Sequence, residues 1–241
     1  MKKVIVYILV LGILPSAHAQ WGKKVRGNGE MVSRDRSTGD YDAISVSGSF
    51  DVDLVAGAEG KVTVYADENL QEWIITEVKN GTLVIKTENG VNLRPSNWND
   101  GIRITVPVEA ISAVTLSGSG DISGKTLLKA PEFSTTMSGS GDINLEVETD
   151  ELSASMSGSG DMNLKGATGR FKVAISGSGD IDAYDLQARE VDASISGSAD
   201  IRVNVNELLK ARVSGSGNIR YRGNPAKIDT KASGSGDISR G

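Results

Sequence analysis

From Ala113 onward the apolar residues of this chain fall into columns that recur about every twenty positions. Leu116, Met137, Met156, Ile175, Ile195, Val213 and Ala232 form one column, and Ile122, Ile143, Met162, Ile181, Ile201, Ile219 and Ile238 form a second. Between them lies a pentapeptide, Ser-Gly-Ser-Gly-Asp or a one-residue variant, beginning at Ser117, Ser138, Ser157, Ser176, Ser196, Ser214 and Ser233 in steps of 21, 19, 19, 20, 18 and 19 residues. Five residues before it stand Phe133, Leu152, Phe171, Val191, Leu209 and Ile228, and after it Leu145, Leu164, Ala183, Val203 and Tyr221 make a mostly apolar fourth column. This period is too long for a heptad and too short for a two-helix repeat, and it matches one coil of a β-solenoid of about 19–21 residues. Alternation carried through the pentapeptide places both glycines inward and Ser, Ser and Asp outward. Hairpin turns in an antiparallel sandwich are the competing structure, but near-identical units favour stacking, where every unit meets the same neighbours.

The pattern before Ala113 is less regular. Residues 20–40 are polar and aperiodic and predict a flexible leader. From Tyr41 strand alternation begins with Ile44, Val46, Val52 and Leu54, and Ser47-Gly48-Ser49-Phe50-Asp51 is a degenerate eighth copy of the pentapeptide. Further alternating runs at Lys61–Tyr65, Thr82–Lys86 and Ile102–Val106 predict strands, with Asn80-Gly81 as a tight turn. Asp67 to Ile75 predicts a short helix with Asp67 as N-cap and Leu70, Trp73 and Ile74 on one face, running out as strand, and Val91 to Gly101 predicts a loop. The expected organisation is a signal peptide (1–19), a flexible leader (20–40), a β-rich N-terminal part or cap (41–112) and the repeat array (113–241).

Composition narrows the chemistry. Met1-Lys2-Lys3, the apolar stretch Val4 to Leu14 and Ala17-His18-Ala19 have the three parts of a secretory signal, with cleavage expected after Ala19. The apolar run is too short to span a bilayer, and there is no cysteine to carry a lipid anchor. Cleavage removes two of the 26 lysines and arginines and the single histidine while all 31 acidic side chains remain, a net charge near −7. Without His or Cys, Ser-His-Asp and Cys-His catalysis, thiol redox chemistry, disulfides and the usual zinc sites are excluded. The acidic balance argues against nucleic acid, whose phosphates need clustered Lys and Arg. With 29 glycines, five prolines and 5% aromatics, the chain suits a stack of strands rather than a bulky aromatic core.

Ser138-Gly139-Ser140-Gly141-Asp142-Ile143-Asn144 and its relatives closely resemble the head GIN domain family of auto-transporter adhesins, found in secreted proteins of Bacteroidetes. Gly141-Asp142-Ile143-Asn144 matches that family's Gly-Asp-Ile/Leu element, and Tyr41-Asp42-Ala43-Ile44-Ser45-Val46 with Phe50-Asp51-Val52 resembles its opening. The resemblance spans roughly residues 40–239. It implies a right-handed parallel β-helix and a cell-envelope or secreted location, and it brings no catalytic residues. No membrane-barrel segment follows the repeats within the sequence, and self-export is not expected.

Asp121, Asp142, Asp161, Asp180, Asp200 and Asp237, with Asn218, form the sharpest outward column. At a rung spacing of about 4.8 Å neighbouring carboxylates repel by roughly 1 kcal/mol in water. Calcium, a hard cation that takes carboxylate oxygens, is one way to relieve this; solvent exposure or a local N–H partner is the other. Paired carboxylates for glycan cleavage need no histidine, but an array this regular offers no clustered break for an active site. The repeated serines lack both a histidine and a Ser-x-x-Lys setting, and read as wall residues. Trp98 and Trp73 are candidate sugar platforms, with Arg94 and Asp100 near Trp98 to bond hydroxyls, or else end caps of the solenoid core. The expected function is therefore a non-catalytic, adhesin-like envelope module with a surface or glycan ligand and no required cofactor. The alternatives are a carbohydrate-binding or carbohydrate-cleaving protein, and a structural protein that self-associates through its open last coil.

Overall fold

The computed structural model describes residues 22–97 and 101–241; the expected signal peptide, Trp98 and Asp100 lie outside them. Ten short strands come first: β1 (Lys23–Arg26), β2 (Met31–Ser37), β3 (Ala43–Gly48), β4 (Asp51–Ala56), β5 (Lys61–Asp67), β6 (Ile74–Lys79), β7 (Thr82–Thr87), β8 (Val91–Arg94), β9 (Arg103–Val108) and β10 (Ala113–Gly118). The array follows as β11 (Ile122–Gly139), β12 (Ile143–Gly158), β13 (Met162–Gly177), β14 (Asp180–Gly197), β15 (Asp200–Gly215), β16 (Asn218–Arg222), β17 (Lys227–Gly234) and β18 (Ile238–Arg240). Every strand pairing from β10 to β18 is parallel, which makes the array a β-solenoid of about seven turns and rules out the hairpin alternative. Each long strand runs along one wall, bends, and continues along a second.

The sequence columns are the structural register. Ser117 stands opposite Ser138, Ser138 opposite Ser157, and so on to Ser233, and the degenerate copy joins the same stack because Ser47 is the partner of Ser117. The unequal steps are absorbed away from the pentapeptide, in bulges such as that between Ser123 and Leu127. Inside, the four apolar columns join one buried cluster that runs from Tyr41 to Ile219.

At the corner the expected facing holds only in part. The second glycine of each copy from Gly120 to Gly217 is buried, but the first is half-buried and does not point at the core. All eight first-position glycines, from Gly48 to Gly234, have φ between +115° and +150°. In that backbone a β-carbon would project along the stack: at Gly139 it would collide with the carbonyl of Gly118, and at Gly158 with that of Gly139. The glycine is needed for rung-on-rung approach, not for space in the core. The second glycines lack positive φ, yet a β-carbon at Gly141 or Gly160 would likewise collide with the carbonyl one rung before; in two copies the chain carries Phe50 and Ala199 at this position, both buried.

The N-terminal rungs are out of chain order. One wall runs β6, β7, β3, β10, β11, and the other β2, β5, β9, β4, β11, so the β3–β4 rung is inserted between the later β7–β9 rung and the array. The segment expected as a flexible leader is strand: β1 pairs in parallel with β8, inside the expected 91–101 loop, and β2 pairs antiparallel with β5. Both supply partners to edges that would otherwise be open. Asp35 on β2 bonds Lys61 at 2.9 Å and Thr63 at 2.8 Å, and the buried part of Arg36 reaches the carbonyls of Gln71 and Ile74. Asn80 and Gly81 both have positive φ and form the expected tight turn between β6 and β7.

The expected helix is a 3-10 turn, Glu68–Trp73, running directly into β6. Asp67 precedes it but makes no side-chain cap; its buried carboxylate accepts the backbone N–H of Gly29 at 2.8 Å and of Ser96 at 3.0 Å. Burial alone would raise its pKa, yet hydrogen bonds from Ser96 and Gly29 outweigh it and hold the carboxyl below its ordinary value. This one side chain ties the β1–β2 connection and the end of β8 to the cap.

Gly139→Val is expected to destabilise the fold by at least about 3 kcal/mol, through forced positive φ and collision with the next rung. Ser140→Thr, on an exposed side chain, should shift the denaturation midpoint hardly at all; equal effects would contradict this corner geometry. Thr135 is fully buried with an unpaired hydroxyl, in a column that holds Val114 one rung before and Ala154 one rung after. Thr135→Val should therefore raise stability by about 1–3 kcal/mol in a urea titration.

Candidate functional site

The repeat is interrupted at one corner, and there a recess opens. Beside the Ser47–Asp51 corner, the adjoining β7–β9 rung has no pentapeptide: residues 88–97, which include β8, leave the coil after β7. Between this excursion and the corner lies a recess of about 670 Å³. Val91 and Leu93 supply apolar surface, backed by the buried Phe50 and Ile102, and Asp51, Glu88 and Arg94 supply charge. The Phe50 ring lies under Gly48, where a β-carbon would come within 2.8 Å of it, and Leu93 packs on the edge of the core. Desolvation, and then the negative charge of Asp121, raise the pKa of Asp51 above the ordinary carboxylate value.

Of the sequence-predicted ligand residues, Arg94 lines this recess, while Trp98 and Asp100 lie outside the described residues. Trp73 is half-buried with the Lys23 ammonium 4.0 Å from its ring centre, an arrangement that fixes β1 to the cap. Phe50, Leu93 and Ile102 were not singled out by sequence. Their signal was faint: Phe50 stands where seven other copies have Gly or Ala, but the partner segment that makes the recess is set by a pairing forty residues away.

The aspartates do stand in one line, and from Asp121 to Asp200 one oxygen of each carboxylate has a partner. The backbone N–H of Asp142 donates to Asp121 Oδ1 at 3.0 Å, that of Asp161 to Asp142 at 3.1 Å, that of Asp180 to Asp161 at 3.2 Å, and that of Asp200 to Asp180 at 3.0 Å. Asn218 donates both its backbone N–H (3.0 Å) and its Nδ2 (2.9 Å) to Asp200, and its own Oδ1 accepts from Asp237 at 3.2 Å. From Asp121 to Asp180 one carboxylate oxygen thus satisfies the corner N–H of the next rung, and the Asn218 N–H is shared between Asp200 and the carbonyl of Ala199. Among the described residues no three His, Cys, Asp or Glu side chains gather into a metal site.

A second, shallower groove of about 680 Å³ follows the other bend, floored by Ala130, Thr149, Thr168 and Ala188. Its threonine hydroxyls lie against backbone carbonyls, Thr149 at 2.9 Å from Pro131 O and Thr168 at 3.0 Å from Arg170 O. These are structural contacts of the bend.

The ladder predicts a split between two substitutions at one position. Asp161→Asn keeps the acceptor, as Asn218 does, and should leave the melting temperature within a degree or two of the parent. Asp161→Ala strips the Asp180 N–H of its partner and should cost about 1 kcal/mol. Equal losses from both would mean that charge, and hence a bound cation, matters more than the hydrogen bond.

The fold recurs in solved structures. A protein from Bacteroides fragilis described as a putative adhesin superposes with a TM-score of 0.82 at 23% identity, over 90% of this chain and 99% of that one. One from Parabacteroides distasonis described as a putative lipid binding protein gives 0.75 at 29% identity, over 91% and 100%. A further putative adhesin, from Parabacteroides merdae, gives 0.71 at 22% identity, over 91% and 99%. No curated protein sequence matches the chain. Residues 40–225 match a family model, and by that match the chain belongs to the family described as "putative auto-transporter adhesin, head GIN domain".

Proposed function

We propose that the chain is an exported, non-catalytic binding module of adhesin type, and that its ligand site is the N-terminal recess rather than the repeated polar face. The observation that carries this is the contrast between the two surfaces. On the repeated face one oxygen of each carboxylate from Asp121 to Asp200 is engaged by a backbone N–H, and the groups beside them are small serines. In the recess, non-repeating apolar and charged side chains converge, as ligand sites generally require. The family supports an adhesive role, and the signal-like N-terminus supports export. No helix among the described residues is long and apolar enough to cross a membrane.

A glycan is the first ligand class, bonded at its hydroxyls by Arg94, Asp51 and Glu88 while Val91 and Leu93 meet its apolar face. The apolar lining also favours a second reading, an amphiphile whose acyl part lies on Val91 and Leu93; the relative described as a lipid binding protein is consistent with it. A glycan array and co-sedimentation with anionic phospholipid vesicles separate the two. Wild-type binding in one assay, reduced at least tenfold by both Arg94→Glu and Leu93→Ala with the melting temperature held, is the expected result. Binding untouched by either variant would move the site to the outer walls, and release of reducing ends from a bound glycan would overturn the non-catalytic reading.

A further inference from the structure

The last rung of the array has an edge with its own pattern. Strand β17 pairs with β15 on one side, and no strand among the described residues pairs with it on the other. In a parallel ladder each residue turns its N–H and C=O to the same side, and successive residues alternate. Ser134 donates its N–H to Ser112 in the preceding rung at 2.8 Å, and Asp229 stands in the same column through Ser153, Lys172, Asp192 and Lys210. Asp229 and Lys231 therefore turn their backbone groups toward β15, whereas Ile228, Thr230 and Ala232 turn theirs to the open side. Side chains divide the same way. Ile228, Thr230 and Ala232 continue the inward columns, and Asp229 and Lys231 lie on the outer wall. Ile228 is 51% exposed, while Leu209, its equivalent one rung earlier, is fully covered.

We propose that this edge pairs, antiparallel, with the same edge of a second copy of the chain, about a twofold axis through Thr230. Only a register that sets even-numbered residues opposite even-numbered ones lets the open N–H and C=O groups meet. Three such registers keep most of the strand paired. One sets Asp229 against Asp229 of the second copy, another sets Lys231 against Lys231, and both oppose like charges. The third centres on Thr230 and sets Asp229 against Lys231 twice over, with Ile228 against Ala232 on the core side. Its charged pairs occupy the closely spaced, non-hydrogen-bonded positions of the ladder, where side chains lie nearest. Arg212 already holds the Asp229 carboxylate on the outer wall at 2.6 Å. The strand is thus complementary to itself, and a twofold pairing closes the edge instead of propagating a fibre.

Sedimentation equilibrium of the purified protein over a wide concentration range should give a monomer–dimer equilibrium. Lys231→Glu turns both attractive pairs repulsive and should weaken the dimer by about tenfold or more, with the monomer's circular dichroism and melting temperature unchanged because Lys231 is exposed. The chain has no cysteine, so Thr230→Cys is a clean reporter of register. Directly opposed residues in a hydrogen-bonded pair sit about 5.5 Å apart between Cα atoms, inside the range a disulfide spans. Mild oxidation should therefore link two copies efficiently at position 230 and poorly in Lys231→Cys. A protein that stays monomeric throughout overturns the proposal, as does a dimer indifferent to Lys231→Glu or one that crosslinks at 231 in preference to 230.

Discussion

Everything in the array depends on how closely one corner can lie on the next. Rungs of a parallel stack sit about 4.8 Å apart, and at the Ser-Gly-Ser-Gly-Asp corner the chain holds that distance by turning its first glycine to positive φ and by keeping glycine at most second positions, with nothing on either α-carbon to strike the carbonyl one rung away. Around this contact the other residues of the motif take their places. The Asp carboxylate reaches along the stack to the N–H of the next Asp, and the flanking Ile, Leu and Met close over the core. A motif that looks like a surface signature is mainly the means of stacking a bend.

This shifts where function is to be sought. A repeated feature that satisfies its own hydrogen bonds has little left for a partner, and its regularity follows from the sameness of neighbouring rungs. The places that differ are the two ends. At one, the β3–β4 rung is held between two later rungs, residues 88–97 depart from the repeated corner, and Asp67 and Gln71 fasten β1, β2 and β8 over the core. The recess is a by-product of that interruption, and it gathers side chains of unlike chemistry. At the other, the stack presents an edge whose charges complement their own twofold image.

The relatives fit this division. Folds alike enough to superpose over nearly the whole chain share only 22–29% identity, which is what a scaffold defined by spacing and alternation tolerates. Column positions need only be apolar and of suitable size.

The periodicity of the chain by itself determined the solenoid, the inward columns and the stacking of all eight corners, including the degenerate copy at Ser47, because these follow from local alternation repeated at a constant interval. It also marked Asp67, though as a helix cap. Three things only the tertiary structure decided. Residues 23–26 and 31–37 become strands because neighbouring edges offer them partners, a force absent from their own polar sequence. The insertion of one rung between two later ones, and with it the recess around Phe50, Leu93 and Arg94, arises from pairings between segments distant in the chain. The direction a β-carbon would take at the first glycine, and that of the aspartate side chains, along the stack rather than in or out, is set by the backbone of the bend, which alternation along a strand does not encode.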